Sequence, residues 1–345
     1  HGFVSSSLLN VDNSDIALNG QSHMISYKGF NTETATGALE VQNKSTVTMK
    51  DTSILGGENV LFNNSKLNVQ GDNHILSNNS NISFENKANV TIDEKSSLTV
   101  LSGKDIKNID DLAHPTVLDA YKALTPSTGT KKLAKDTSLT NQGILNANLD
   151  NAGEVTNAGI INGNVVNTGT FTGLLDNVNG LLNNDNGILN TWGDLNKNVT
   201  GTMNLTRASR LNKSIVASNV NIQNSLDLGT NLLTANNVQV GDNATVSFRV
   251  ADKDTYGQIK ADTISISSKG TNLNLILDSG VLEANQKLQL QVLDSTALTG
   301  SFAKLTPNIF CNFKDLGNGL FEVSEKRTAQ IISEMGGDSN DKKAA

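Results

Sequence analysis

The apolar residues of this chain recur in a short pattern with a period of two. Between residues 39 and 100, a polar turn repeatedly precedes two apolar residues that one polar residue separates. This alternation predicts strands with one buried face. Because the strands are short and Asn-Gly hairpin turns are sporadic, we expect sides of a coil rather than hairpins. The apolar pairs are Val47 and Met49, Leu67 and Val69, Ile82 and Phe84, Val90 and Ile92, and Leu98 and Val100.

A second form of the repeat lies between residues 140 and 195. Asn141, Asn151, Asn157 and Asn167 each begin an Asn-x-Gly triplet that comes shortly before an apolar residue. Alternate triplets are about 16 residues apart, which is close to one coil of a narrow solenoid. Asn and Gly adopt left-handed backbone conformations at low cost, so the triplets are predicted to form corners. Their Asn side chains are predicted to hydrogen-bond from coil to coil as a ladder.

The segment 105–124 departs from this pattern. Ile106, Ile109 and Leu112 have helical spacing, which predicts a short helical insertion followed by a Lys-rich loop over residues 125–135. We interpret the insertion as a cover packed on the solenoid wall, and the alternative is a module that contacts a partner.

From about residue 250 the strands become longer and more apolar. Four of the ten Phe residues of the chain also follow within some twenty residues. A terminal coil leaves strand edges and core exposed, so this bulk predicts a C-terminal cap. The predicted strands include 263–266, 273–277 and 288–293, and the Phe residues are Phe302, Phe310, Phe313 and Phe321.

Together these patterns predict an all-β parallel β-helix, or β-solenoid, with a short helical insertion and a C-terminal cap. The predicted segments are N-terminal coils 1–103, the insertion and loop 104–136, Asn- and Gly-rich coils 137–250, the capping segment 251–325 and a polar linker 326–345.

Composition narrows the possible functions. The net charge is −7, and the 27 basic and 34 acidic residues are dispersed, so the clustered Lys and Arg of a nucleic-acid groove are absent. Cys311 is the only cysteine, which rules out an intrachain disulfide. No apolar run approaches the ~18 residues of a membrane span. The sequence shows no signal peptide at His1, and we expect it to be part of a longer precursor.

The residues that could carry catalysis do not form a recognisable set. A Ser-His-Asp site needs one of His1, His23, His74 or His114, and each is predicted to be solvated or capping, with His74 in a turn before a strand. Ser339 in the hydrophilic tail lacks the strand-turn-helix context of a hydrolase nucleophile. The stretch 336–341 contains a single copy of a calcium-repeat-like pattern. We therefore predict no catalytic, cofactor-binding or metal-binding residues and no cofactor.

The C-terminal segment and the coils together resemble the passenger domains of bacterial autotransporters. The Asn-, Gly-, Ser- and Thr-rich coils cover most of residues 1–250, and the C-terminal run resembles the stable autochaperone region of such passengers. The tail from Thr328 resembles the approach to the helix that threads the outer-membrane barrel. The motifs that carry the resemblance are 256–259, 273–277, 288–293, 298–302 and 319–323.

The resemblance implies a right-handed β-helix at the bacterial cell surface, or secreted, which agrees with the handedness of parallel crossovers. Its own outer-membrane β-barrel translocator would be one partner, and a glycan or protein on a host or neighbouring cell would be another. The predicted function is a non-catalytic adhesin or stalk. The alternatives are a pectate-lyase-like polysaccharide-degrading enzyme, which needs gathered Asp and Arg or Lys residues, and a secreted hydrolase passenger.

Overall fold

A computed structural model describes residues 2–6, 8–20, 22–26, 38–56, 59–77, 82–102, 130–282, 286–326 and 328–336. Within these residues the chain is almost entirely β-strand, and most strands pair in parallel with strands one coil away. The fold is the all-β parallel β-helix that the sequence predicts. The chain divides into two compact units, His1–Leu189 and Asn190–Ala345.

In the first unit each coil contributes strands to three parallel sheets, called A, B and C, with strands numbered in chain order. Sheet A contains β1 (Gly2–Ser6), β4 (Ser22–Ser26), β7 (Ser53–Gly56), β10 (Asp72–Ser77), β13 (Ser97–Ser102), β16 (Ile144–Asn146) and β19 (Ile160–Ile161). Sheet B contains β2 (Leu8–Asp12), β5 (Ala38–Gln42), β8 (Asn59–Asn63), β11 (Ile82–Glu85), β14 (Thr130–Leu133), β17 (Asn148–Asn151), β20 (Val165–Asn167) and β22 (Leu182–Asn183). Sheet C contains β3 (Asp15–Asn19), β6 (Thr46–Lys50), β9 (Lys66–Gln70), β12 (Asn89–Ile92), β15 (Ser138–Asn141), β18 (Glu154–Asn157) and β21 (Thr170–Gly173).

The core of the first unit includes the predicted apolar positions. Both residues of each predicted pair are buried, and the polar residue between them faces outward or is only partly covered in four of the five pairs. In-register pairing stacks these residues from coil to coil, as in the column Val47, Leu67, Val90, Leu139, Val155 and Phe171. Stacking is what makes such short strands stable, because one coil alone cannot bury its own apolar face.

The Asn ladder is confirmed, but the backbone of its triplets differs from the prediction. Asn141 Nδ2 donates to Asn157 Oδ1, and Asn151 Nδ2 donates to Asn167 Oδ1. Each hydrogen bond is 2.7 Å long and joins residues that are 16 positions apart in the sequence. Asn167 Nδ2 extends the second ladder to Asn184 Oδ1 at 2.6 Å. These side chains are buried at the ends of strands, and neither they nor the glycines of their triplets have positive φ.

The glycines of the triplets are needed for space rather than for left-handed geometry. A Cβ atom on Gly159 would lie 1.9 Å from the carbonyl oxygen of Gly143, one coil below. A Cβ on Gly169 would lie 2.2 Å from the carbonyl oxygen of Gly153. Positive φ occurs instead at other turns, for example at Asn43 and Asn86. The close approach of successive coils, which a single sequence does not display, explains why the predicted corner conformation was wrong.

One core position of sheet B holds a lysine. Lys131 lies between Ile82 and Leu149 in the inward-facing column and is only 3% exposed. Burial lowers its pKa from 10.5 to about 8. Its strand, β14, begins at Thr130, so the coils resume inside the segment that was predicted to be a loop. The predicted helix over 105–124 lies outside the described residues.

The second unit has wider coils and longer strands. Its parallel sheet pairs each strand with one from the next coil, with Met203, Val220, Val238, Ile264 and Leu298 stacked in one inward column. Its strands are β23 (Ile188–Leu195), β24 (Val199–Leu211), β25 (Ile215–Ile222), β26 (Ser225–Asp227), β27 (Leu232–Val240), β28 (Thr245–Val250), β29 (Gln258–Ile266), β30 (Asn272–Leu277), β32 (Leu293–Thr299) and β33 (Lys304–Thr306).

A three-stranded antiparallel sheet forms the predicted C-terminal cap from β31 (Lys287–Gln291), β35 (Leu320–Glu325) and β34 (Cys311–Gly317). Phe313 joins it to the coils, since its ring centroid lies 5.8 Å from that of Phe248 and 5.3 Å from that of Phe321. Phe321 is buried and Phe302 half-buried, whereas Phe310 is 62% exposed. Phe310 therefore contributes little to the cap, contrary to the prediction.

A short helix, α1 (Thr328–Glu334), lies in the segment that was predicted to be a polar linker. Gln330 Nε2 donates to Asn312 Oδ1 at 3.1 Å, and Lys326 Nζ pairs with Glu334, so the helix is tied to the cap. No helix in the described residues is both long and apolar enough to cross a membrane.

Candidate functional site

The outer walls of the coils carry columns of polar side chains. In-register parallel pairing places equivalent residues of successive coils next to each other, at a spacing of about 4.8 Å. Outward residues of the same type therefore form rows along the stack. The rows are the most regular surface feature of the described residues, and they are the first candidate for a binding surface.

The A column follows the outside of sheet A. Asn179 Nδ2 donates to Asn162 Oδ1 at 2.5 Å, and Asn162 Nδ2 donates to Asn146 Oδ1 at 2.7 Å. Asn146 Nδ2 then donates to Thr99 Oγ1 at 2.8 Å. The first three members of the column are buried and the last two are exposed. In chain order the members are Ser53, His74, Thr99, Asn146, Asn162 and Asn179.

The C column follows the outside of sheet C and consists mainly of threonine. Its hydroxyl groups are half-buried or exposed, with Thr156 the most open. A threonine places a hydroxyl and a methyl group side by side, so the column is both hydrogen-bonding and partly apolar. Its members are Thr48, Asn68, Thr91, Thr140, Thr156 and Thr172.

The second unit has an amide column of its own. Asn221 Nδ2 donates to Asn204 Oδ1 at 2.8 Å, and Asn204 Nδ2 donates to Asn190 Oδ1 at 2.9 Å. We call Asn190, Asn204 and Asn221 the amide column. These side chains are half-buried.

The structure places His74 in strand β10 rather than in a turn, and its side chain is only 3% exposed. The prediction of a solvated or capping His74 was therefore wrong. The A column also brings Ser53 beside His74 on the adjacent strand, which the sequence did not indicate. The six residues of the column include no carboxylate that could orient the imidazole as the third member of a catalytic triad. His1, His114 and Ser339 lie outside the described residues.

A tryptophan and an arginine form a separate cluster beside the amide column. The guanidinium carbon of Arg207 lies 4.4 Å from the ring centroid of Trp192, the only tryptophan of the chain. Nearby, Arg210 donates to both carboxylate oxygens of Asp194, with Nη2–O distances of 2.9 and 3.2 Å. Hydrogen bonds from Asn212 and then from Arg210 lower the pKa of Asp194. We call Trp192, Arg207, Asp194 and Arg210 the Trp–Arg cluster.

Sequence reasoning missed this cluster because it treated tryptophan and arginine only as rare residues. A usable signal was present, since Trp192 and two of the four arginines lie within residues 192–210. In the described part of the chain, no group of three or more His, Cys, Asp or Glu side chains is placed to hold a metal ion.

Comparison with models of known protein families finds no match to this chain, and comparison with curated proteins finds no similar sequence.

Proposed function

We propose that the chain is the surface-exposed passenger of a bacterial autotransporter and that it acts as a non-catalytic adhesin. The observation that carries the proposal is the set of polar columns on the outer walls. The exposed parts of these columns repeat weak hydrogen-bonding groups at a fixed spacing from coil to coil, and this arrangement favours multivalent attachment to a repetitive surface.

The distribution of charge supports adhesion rather than hydrolysis. Polysaccharide cleavage on a β-helix needs several carboxylates and a basic residue gathered on one face. In the second unit, carboxylates such as Asp194 and Asp278 are instead tied in exposed ion pairs with arginines. The C column presents hydroxyl groups, which bind sugars and peptides without activating water.

Adhesion is tested with beads that carry the purified protein, incubated with cultured epithelial cells and with bacteria. The double variant Thr140→Ala/Thr156→Ala removes two neighbouring hydroxyl groups from the C column. Because each contact is repeated, we expect their loss to reduce bead attachment by more than the loss of two isolated contacts would.

The matched control is Thr230→Ala/Ser268→Ala, which removes two exposed hydroxyl groups from turns. This control should attach like the parent protein. Equal attachment of both variants would contradict a role for the C column. Attachment of the parent no greater than that of albumin-coated beads would leave only a passive stalk.

Membership of the autotransporter class is tested by the reading frame that encodes the chain. A signal peptide upstream and a β-barrel-coding region downstream are expected. Their absence from the complete frame would refute this part of the proposal, whatever the adhesion assay shows.

A further inference from the structure

We propose that the Trp–Arg cluster and the adjacent amide column form a binding site for an acidic glycan that carries carboxylate groups, such as a uronate polymer. This inference deepens the proposed adhesin function and rests on it, because it assigns one ligand class to one place on the second unit.

The guanidinium of Arg207 has unused hydrogen-bonding capacity within the described residues. Arg210 and Arg249 each form an ion pair, with Asp194 and Asp278 respectively. Within the described residues, no side chain or carbonyl group accepts a hydrogen bond from the guanidinium of Arg207, which is exposed. Both oxygens of Asp194, the one carboxylate in the cluster, are already bonded to Arg210.

Trp192 holds this guanidinium in a defined orientation. A guanidinium that lies over an indole ring is stabilised through its flat face, and its N–H groups remain at the edge. Those groups form a planar fork that matches the two oxygens of a carboxylate. Stacking also reduces the conformational entropy that a flexible arginine loses when it binds an anion.

The charge around the Trp–Arg cluster is positive. Residues 190–216, together with Asp227, which pairs with Arg210 in the register of the sheet, contain four basic and two acidic residues, so this strip has a net charge of +2 in a chain of −7. The turns that hold Lys197 and Lys213 lie on adjacent coils, joined by the hydrogen bond from the Asn212 amide to the Leu195 carbonyl at 3.2 Å. The electrostatic potential of this strip favours an anionic ligand over a neutral one.

The amide column favours a sugar over other anions. Asn190 lies two residues before Trp192 on the same outward side of β23, about 7 Å along the strand. Asparagine amides both donate and accept hydrogen bonds, as sugar hydroxyl groups do. A ligand with carboxylate and hydroxyl groups on one ring would contact the fork of Arg207 and the amides of Asn190 and Asn204 together.

The experiment uses the complete 345-residue chain and reads the fluorescence of Trp192, the only tryptophan. The probes are a galacturonate oligosaccharide and the same oligosaccharide with its carboxylates methyl-esterified. We expect the acid form to change the emission and the ester to bind at least about tenfold more weakly, the factor expected for loss of a charge-assisted hydrogen bond. Binding of the acid form should weaken as salt is added.

Arg207→Gln should lower the affinity for the acid form by about tenfold. Arg207→Lys should restore only part of it, because lysine keeps the charge but lacks the fork. The matched control is Arg249→Gln, which removes an exposed, ion-paired arginine elsewhere in the unit and should leave the affinity unchanged. Circular dichroism of each variant checks that the fold is retained.

Equal binding of acid and ester, or an Arg207→Gln variant that binds like the parent, would overturn the proposal. A glutamate-rich peptide that binds more tightly than the oligosaccharide would overturn the assignment to a glycan. These outcomes are separate from the adhesion test, since beads can attach through the C column when Arg207 is replaced. Conversely, a specific fluorescence response without any cell attachment would uphold this site and refute the adhesin function.

Discussion

The narrow coils of residues 137–187 and the capped segment of residues 251–325 stabilise the same kind of stack in different ways. The narrow coils repeat every 16 or 17 residues and devote buried positions to asparagine ladders, with glycines where the coils approach closely. The capped segment has longer strands and buries leucine and phenylalanine side chains instead. Ladders fix the register between coils, whereas aromatic bulk closes the exposed end of the core.

The contrast also separates stability from binding. In the narrow coils the buried amides hydrogen-bond to one another within the core, and the outward columns remain open to solvent. In the capped segment most of the aromatic side chains pack against other side chains and leave little surface for a ligand. We therefore expect substitutions in the two regions to change the free energy of unfolding by different amounts.

Phe321→Ala should be the most destabilising change, because the ring is 1% exposed and packs against Phe313. Loss of a buried phenylalanine costs about 3–5 kcal/mol. Chemical denaturation measures the free energy of unfolding, and hydrogen exchange should assign the loss to the second unit. Phe310→Ala is the control, since its exposed ring should contribute less than about 0.5 kcal/mol. Similar losses in both variants would contradict the described cap.

Lys131 should make the stability of the first unit depend on pH. Below about pH 8 both the folded and unfolded states bind the proton, and the folded state carries the cost of burying the ammonium group. Between pH 8 and 10.5 only the unfolded state binds it, so the free energy of unfolding rises with pH, by on the order of 3 kcal/mol. Above pH 10.5 the lysine is neutral in both states, so the cost of burying the ammonium group no longer lowers the free energy of unfolding.

The test compares the pH dependence of unfolding in Lys131→Met and Lys132→Met. Methionine at position 131 has no ionisable group, so it should remove the rise in the free energy of unfolding. It should fit at this position because the other residues around the cavity beside Lys131 are apolar. The neighbouring Lys132 is exposed, and its replacement should preserve the rise. A rise of equal size in both variants would place its origin elsewhere in the chain.

Asn167→Ala should cost about 2–3 kcal/mol, because it removes the middle of the buried ladder and leaves amide groups of Asn151 and Asn184 without their partner. Asn162→Ala removes the equivalent hydrogen bonds from the exposed A column. Water can replace those bonds, so the loss should stay below about 1 kcal/mol. Thermal and chemical denaturation of both variants would show whether burial determines how much a hydrogen-bond ladder adds to the free energy of unfolding.

Gly159→Ala should cost about 1–3 kcal/mol, because the added methyl group would clash with the carbonyl of Gly143 and push two coils apart. Gly280→Ala tests the other glycine role, because an added Cβ would meet no described atom within 4 Å beyond its two chain neighbours, and only the φ of +80° opposes a side chain. That variant should lose about 1 kcal/mol. A Gly159→Ala protein as stable as the parent would contradict the close approach of the coils.

Much of the fold follows from local patterns. The period-two alternation correctly indicated the buried residues of the five strands in which it was recognised, and the spacing of Asn141 and Asn157 indicated the length of the narrow coils. The antiparallel sheet of residues 287–325 lies within the segment predicted to be a cap, while strands such as β29 and β30 in the same segment belong to the parallel coils. The failures share one cause, which is that a neighbour one coil away is distant in sequence. The triplet glycines, the buried His74 and the lysine in the core all depend on such neighbours.

The sequence by itself determined the class of fold, because the alternation of apolar and polar residues is a local property that each strand carries on its own. The tertiary structure decided which outward residues meet. Ser53 with His74, Trp192 with Arg207, and Asn162 with Asn179 are 15 to 21 residues apart, and their pairing depends on the length of each intervening turn. One residue more or less in a turn would shift the register, and the same strands would then present different columns.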